Sequence, residues 1–142
     1  MLDDPNLATR PLVMARVLLA DDDPTSRLTL QTVLQAGGYE VDAAASAAEA
    51  VGLLDEQEYE LVLSDLHMES PESGLKVLAH ARMMDYKPAT ALVSVHQNGH
   101  PAEEQPNGVL IEPEDVPELL DRVANLIGER VLRRVNRELR AQ

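Results

Sequence analysis

Residues 16–24, Arg-Val-Leu-Leu-Ala-Asp-Asp-Asp-Pro, set a short apolar run directly against three aspartates and a proline. Residues 59–65, Tyr-Glu-Leu-Val-Leu-Ser-Asp, repeat the arrangement with a single aspartate. Apolar runs this short, with no polar alternation, fit strands buried on both faces. Residues 89–95 and 109–111 are two more such runs, and residues 39–43 add a weaker strand. The spacing therefore predicts five strands.

Helical punctuation fills the gaps between them. Pro24 suits the first turn of a helix that Gly37-Gly38 stops, and Ser46 followed by Glu49 forms a capping box ahead of Ala50, Leu53 and Leu54. A third helix is expected from about Ser73 to Met84, and a last one from about Asp115. Strands alternating with helices of about three turns imply right-handed crossovers. The expected fold is α/β, a doubly wound five-stranded parallel sheet with ligands at the carboxyl ends of its strands.

Composition narrows the function classes. A chain of 142 residues suits one domain. With no Phe or Trp, its core must be aliphatic. The absence of Cys removes disulfides, thiolate metal sites and cysteine nucleophiles. No apolar run approaches the ~18 residues of a membrane span, so a cytoplasmic protein with no membrane partner is expected. The net charge of −13 disfavours nucleic acid as a partner.

The charge is unevenly spread. Residues 129–142 carry Arg130, Arg133, Arg134, Arg137 and Arg140 against only Glu129 and Glu138. The last helix is expected to continue past Gly128 into this segment, where Val131, Leu132, Val135 and Leu139 form an apolar stripe flanked by the arginines. That pattern suits a linker to an output domain or a homodimerisation helix. The expected organisation is a disordered leader over 1–14, a domain over 15–128 and a helical extension over 129–142.

Asp21, Asp22 and Asp23 follow the first strand and Asp65 follows the third, so adjacency of those strands would gather the carboxylates at one edge. Clustered carboxylates repel one another unless a cation sits among them, and an all-oxygen set favours Mg2+. An aspartate there can also accept a phosphoryl group as an acyl phosphate. Solvated loop caps are the competing explanation of the same residues. Phosphatase and nucleotide-binding readings lack, respectively, a clear general acid and a glycine-rich loop after the first strand.

Over residues 15–128 the chain resembles the receiver domains of bacterial two-component response regulators. The likeness lies in Val-Leu-Leu-Ala-Asp21-Asp22-Asp23-Pro24, Leu-Val-Leu-Ser-Asp65-Leu-His-Met68, Val-Ser94-Val and Ile-Glu112-Pro113, which are specific in combination. The resemblance implies a flavodoxin-like receiver fold. It also implies Mg2+ held by Asp21, Asp22, Asp65 and the backbone carbonyl of His67, and phosphoacceptance by Asp65 from a histidine kinase or phosphotransfer protein. Ser94 would contact the phosphoryl group. Such a protein is not an enzyme beyond self-catalysed phosphoryl transfer and autodephosphorylation.

Three departures stand out. Glu112 occupies the position of the family's catalytic lysine. Unit charges about 5 Å apart at an effective dielectric near 20 interact by roughly 3 kcal/mol, so the exchange of lysine for glutamate handicaps phosphorylation unless Glu112 turns away, is protonated or binds the metal. Gly99, Pro101 and Pro106 fall in the family's fourth helix, which is expected to be shortened, and Val109 replaces a switch aromatic. The loop after Met68 carries a one-residue insertion before Gly74. These features support an alternative, a degenerate pseudo-receiver that binds partners independently of phosphorylation. His67, His96 and His100 offer a competing transition-metal reading, but Gly99 and Pro101 oppose a helix across His96 and His100, and the three read as polar loop residues.

Overall fold

The computed structural model of the protein describes residues 15–66, 68–70, 72–94, 109–111 and 115–140. Five strands form one parallel sheet: β1 (Arg16–Ala20), β2 (Glu40–Ala44), β3 (Leu61–Asp65), β4 (Ala89–Val93) and β5 (Val109–Ile111), in the order β2-β1-β3-β4-β5. The described helices are α1 (Pro24–Ala36), α2 (Ala47–Glu56), α3 (Ser73–Arg82) and α4 (Val116–Arg140). The doubly wound expectation holds. The third strand is shifted relative to the sequence reading, so that Asp65 is its last residue rather than the one after it. The leader, Glu112, His67, His96, His100 and the expected shortening of the family's fourth helix lie outside the described residues.

Alternate residues of β1, β3 and β4 feed two cores. Val17, Leu19, Leu61, Leu63, Ala91 and Val93 pack with Leu30 and Leu34 of α1 and Leu119 and Val123 of α4. Leu18, Ala20, Val62 and Leu92 pack on the other face with Ala50 and Leu54 of α2 and Val77, Leu78 and Ala81 of α3. Burial on both faces explains why the strand sequences are continuously apolar. Tyr59, expected in β3, precedes it and is fully buried, its hydroxyl donating to Asp42 Oδ2 at 2.7 Å.

The helix ends follow the capping logic. Asp23 accepts from the Ser26 amide at 2.9 Å, Pro24 fills the first turn of α1, and Gly38 leaves the helix at φ 101°. Ser46 Oγ accepts from the Glu49 amide at 3.1 Å, while Glu49 Oε2 reaches back to the Ala45 amide at 3.1 Å, one residue beyond the usual capping-box partner. Asp115 accepts from the Glu118 amide at 2.8 Å to open α4.

Helix α4 runs unbroken through Gly128 to Arg140. Arg130, read from sequence as one of the arginines flanking the apolar stripe, is instead buried. Its Nε donates to the Lys87 carbonyl at 2.9 Å and its Nη2 to the Tyr86 carbonyl at 2.6 Å. Beyond it, Val131, Leu132, Val135 and Leu139 remain exposed.

Candidate functional site

Sheet register assembles the site. Ala20 pairs with Ser64, so Asp21 and Asp65 are the next residues of two adjacent parallel strands and meet at their carboxyl ends. The Asp21 amide donates to the Ala44 carbonyl of β2 at 3.0 Å, which fixes the backbone as it leaves β1. Asp21, Asp22 and Asp65 each offer a carboxylate oxygen, and these atoms lie within 4.8 Å of one another. Asp21 is fully buried, Asp65 nearly so, and Asp22 is half-buried.

The run of three aspartates is divided by duty. Asp23 is turned into α1 as its cap, while its own amide donates to Asp21 Oδ1 at 3.0 Å. The other oxygen, Asp21 Oδ2, is buried with no hydrogen-bond partner among the described residues. Burial pushes the Asp21 carboxyl up to about 6; the Asp23 amide opposes that rise and the neighbouring Asp65 carboxylate adds to it.

An orphaned buried acceptor is costly unless a cation or donor completes it. Three converging carboxylates, one carrying such an acceptor, form a hard-oxygen set that fits Mg2+.

Ser94 directly follows β4 and is buried. Asp65 pairs with Val93, and the Leu66 amide donates to the Val93 carbonyl at 2.9 Å, so Ser94 stands at the same sheet edge on the neighbouring strand. Lys87, two residues before β4, lies at the opposite end of that strand and donates through Nζ to the Arg82 carbonyl at 3.0 Å.

Two supports were not evident in the sequence. Arg27 Nη1 donates to the Asp21 carbonyl at 3.0 Å, placing a guanidinium on the acidic loop. Its position in the first turn of the helix opened by Pro24 was the available signal. Glu69, in the lengthened loop after Asp65, accepts from the Ala47 amide at 2.7 Å and so ties that loop to the start of α2. No local pattern announces a contact across 22 residues.

The description "Response regulator receiver domain" matches residues 17–124 of the chain. The sensory/regulatory protein RpfC of Xanthomonas campestris is 32% identical over 119 residues, covering 78% of this chain and 16% of that protein. The two-component response regulator ARR11 of Arabidopsis thaliana is 42% identical over 67 residues, covering 46% of this chain and 13% of that protein. The chain thus spans a small part of the curated relatives it matches.

Among solved structures, a receiver protein from Sinorhizobium medicae superposes with a TM-score of 0.68 at 26% identity, covering 82% of this chain and 96% of that one. The response regulator TrrA of Thermotoga maritima, solved in complex with Mg2+ and BeF, gives a TM-score of 0.65 at 28% identity, covering 80% and 99%. No described helix is long and apolar enough to cross a membrane. With the sheet order, the carboxylate edge and the family match in agreement, the chain belongs to the response regulator receiver domain family of two-component signalling.

Proposed function

We propose that Asp65 accepts a phosphoryl group from a histidine kinase or phosphotransfer protein, with Asp21, Asp22, Asp65 and the backbone carbonyl of His67 holding Mg2+. The observation that carries the reading is the buried, unpartnered Asp21 Oδ2 within the cluster shared with Asp22 and Asp65. When bound, Mg2+ would offset the negative charge that gathers as a phosphoryl group approaches carboxylates.

The protein's own part is as follows. An Asp65 carboxylate oxygen attacks phosphorus, the donor's P–N bond breaks, and the imidazole leaves with a proton from solvent, giving an acyl phosphate. Ser94 donates its hydroxyl to a phosphoryl oxygen. Water later attacks phosphorus and restores the Asp65 carboxylate, which is self-catalysed dephosphorylation rather than turnover of an external substrate. Residues 15–128 serve as the receiver. Residues 129–142 serve as a connecting helix, whose exposed Val131, Leu132, Val135 and Leu139 suit an output domain or a second copy.

Intact-mass spectrometry after incubation with acetyl phosphate, with and without Mg2+, tests this. An adduct of about 80 Da on the wild type and not on Asp65→Asn is the expected result. An adduct on Glu112→Lys alone would show that the site geometry is competent but that the natural chain acts by binding. Absence of any adduct, with a histidine kinase tried as well, rejects phosphoacceptance.

A further inference from the structure

The end of the molecule opposite the carboxylates carries a second charged site. A groove of about 490 Å³ lies between the last turns of α4 and the turn joining α3 to β4. Arg82, Lys87, Arg133, Arg137 and Arg140 line it together with Asn136, and no carboxylate side chain is among its described lining residues. In a chain of net charge −13, Lys87, Arg133, Arg137 and Arg140 gather around one hollow, beside Arg82, which is already engaged in an interaction of its own.

The groove is also built. Arg130, buried in the adjoining cleft, grips the Tyr86 and Lys87 carbonyls and so ties helix to turn. Lys87 is held at φ 44°, a left-handed conformation that costs a non-glycine residue of order 1 kcal/mol and calls for a reason. Its ammonium spends one donor on the Arg82 carbonyl at 3.0 Å and keeps two more.

Like charges converge at a cost unless an anion completes them, and planar guanidinium forks match phosphate oxygens in pairs. We propose that this groove binds a small oligophosphate, a ligand with two or more linked phosphate groups such as a nucleoside polyphosphate or an inorganic one. The volume is of the size that holds a small ligand. An extended polyanion is disfavoured because the adjoining cleft brings Glu58 and Asp85 alongside Arg137. Nothing in the proposal depends on phosphoacceptance by Asp65. The length of β4, roughly 15 Å at about 3.3 Å per residue, separates the two ends.

Isothermal titration of the full chain in EDTA with ATP, tripolyphosphate and orthophosphate tests the idea. Saturable one-to-one binding of tripolyphosphate or ATP is expected, with orthophosphate at least about tenfold weaker because it engages fewer forks. Equal affinities for tripolyphosphate and ATP assign recognition to the phosphates alone; tighter ATP binding adds the nucleoside. The double variant Arg133→Gln/Arg137→Gln should weaken binding at least about tenfold. Arg134→Gln, which removes one such charge from a residue paired with Glu138 at 3.7 Å, should change it less than about twofold. Equal losses in both variants, loss in Asp65→Asn, absence of saturable binding, or tighter binding of duplex DNA or anionic vesicles would each overturn the proposal.

Discussion

A Cβ atom added to Gly74 would stand 2.9 Å from the carbonyl oxygen of Asp65 and 3.1 Å from Ser64 Oγ. Helix α3 therefore begins directly against the backbone of Asp65, the proposed phosphoacceptor, closer than any other residue permits. Neither the β3 backbone nor the packed start of α3 can yield cheaply. We expect Gly74→Ala to destabilise the fold by about 1–3 kcal/mol and to weaken Mg2+ binding at the same time. Chemical denaturation with a Mg2+ titration checks both; an unchanged midpoint and affinity would show that α3 shifts freely.

The Asp21 carboxyl, pushed up to about 6 by burial, gives a pH dependence of definite sign. Between its ordinary value of 3.8 and about 6 the folded metal-free chain binds more protons than the unfolded one. Stability without metal should therefore fall as pH rises through that window, by an amount on the order of 2 kcal/mol, and stay at the lower level above it. Mg2+ competes with the same proton, so its affinity should rise about tenfold per pH unit below 6 and level off above. Thermal melts at pH 4.5 and 7, with EDTA or Mg2+, are the check. Asp21→Asn should remove most of both effects; a flat profile in the wild type would place the titration elsewhere.

Arg130 offers a third test. Replacing it with Met keeps most of its aliphatic length but leaves the Tyr86 and Lys87 carbonyls without their donor. A loss of about 1–3 kcal/mol is expected, together with faster hydrogen exchange in residues 131–140. Exchange that stays slow in the variant would mean that packing rather than this guanidinium holds the end of α4.

Gly128 interrupts nothing: a Cβ added there meets no atom within 4 Å, and the helix passes through it. Gly128→Ala should stabilise α4 by about 0.5–1 kcal/mol through the unfolded chain's lost freedom alone. Urea denaturation would reveal a higher midpoint, whereas a lower one would indicate that flexibility at this joint is built in.

The exposed stripe on α4 sets a fifth expectation. Truncation after Gly128 should convert a dimeric chain to a monomer in sedimentation velocity. If wild type and truncated chain are both monomeric, the stripe serves an output domain rather than a second copy.

The sheet was legible because β1, β3 and β4 are buried on both faces, which writes an unbroken apolar run into the sequence, and because Pro24, Gly37-Gly38 and Ser46-Glu49 punctuate the helices between. Asp21, Asp22 and Asp65 were legible for a topological reason, since carboxyl ends of adjacent parallel strands must converge. Strand ends were harder: Tyr59 is as apolar in its surroundings as any strand residue, yet precedes β3, and Asp65 closes the strand it was expected to follow. The division of labour between Asp21 and Asp23 depends on backbone direction after β1, which residue types alone do not specify. Arg130 was misread because its helical position looks like that of its exposed neighbours. Only the turn at Tyr86 and Lys87, brought there by the fold, makes it different.

The tie between Glu69 and the Ala47 amide has a practical consequence. The chain has no Trp whose emission would follow events at the carboxylate edge. A backbone amide donating to a carboxylate at 2.7 Å carries a proton resonance displaced well downfield and sensitive to small changes in that contact. Because Glu69 sits in the loop that follows Asp65, a single nitrogen-15 label on Ala47 turns the protein into its own indicator. One cross-peak, read during a titration, would report when that loop is gripped and when it is let go.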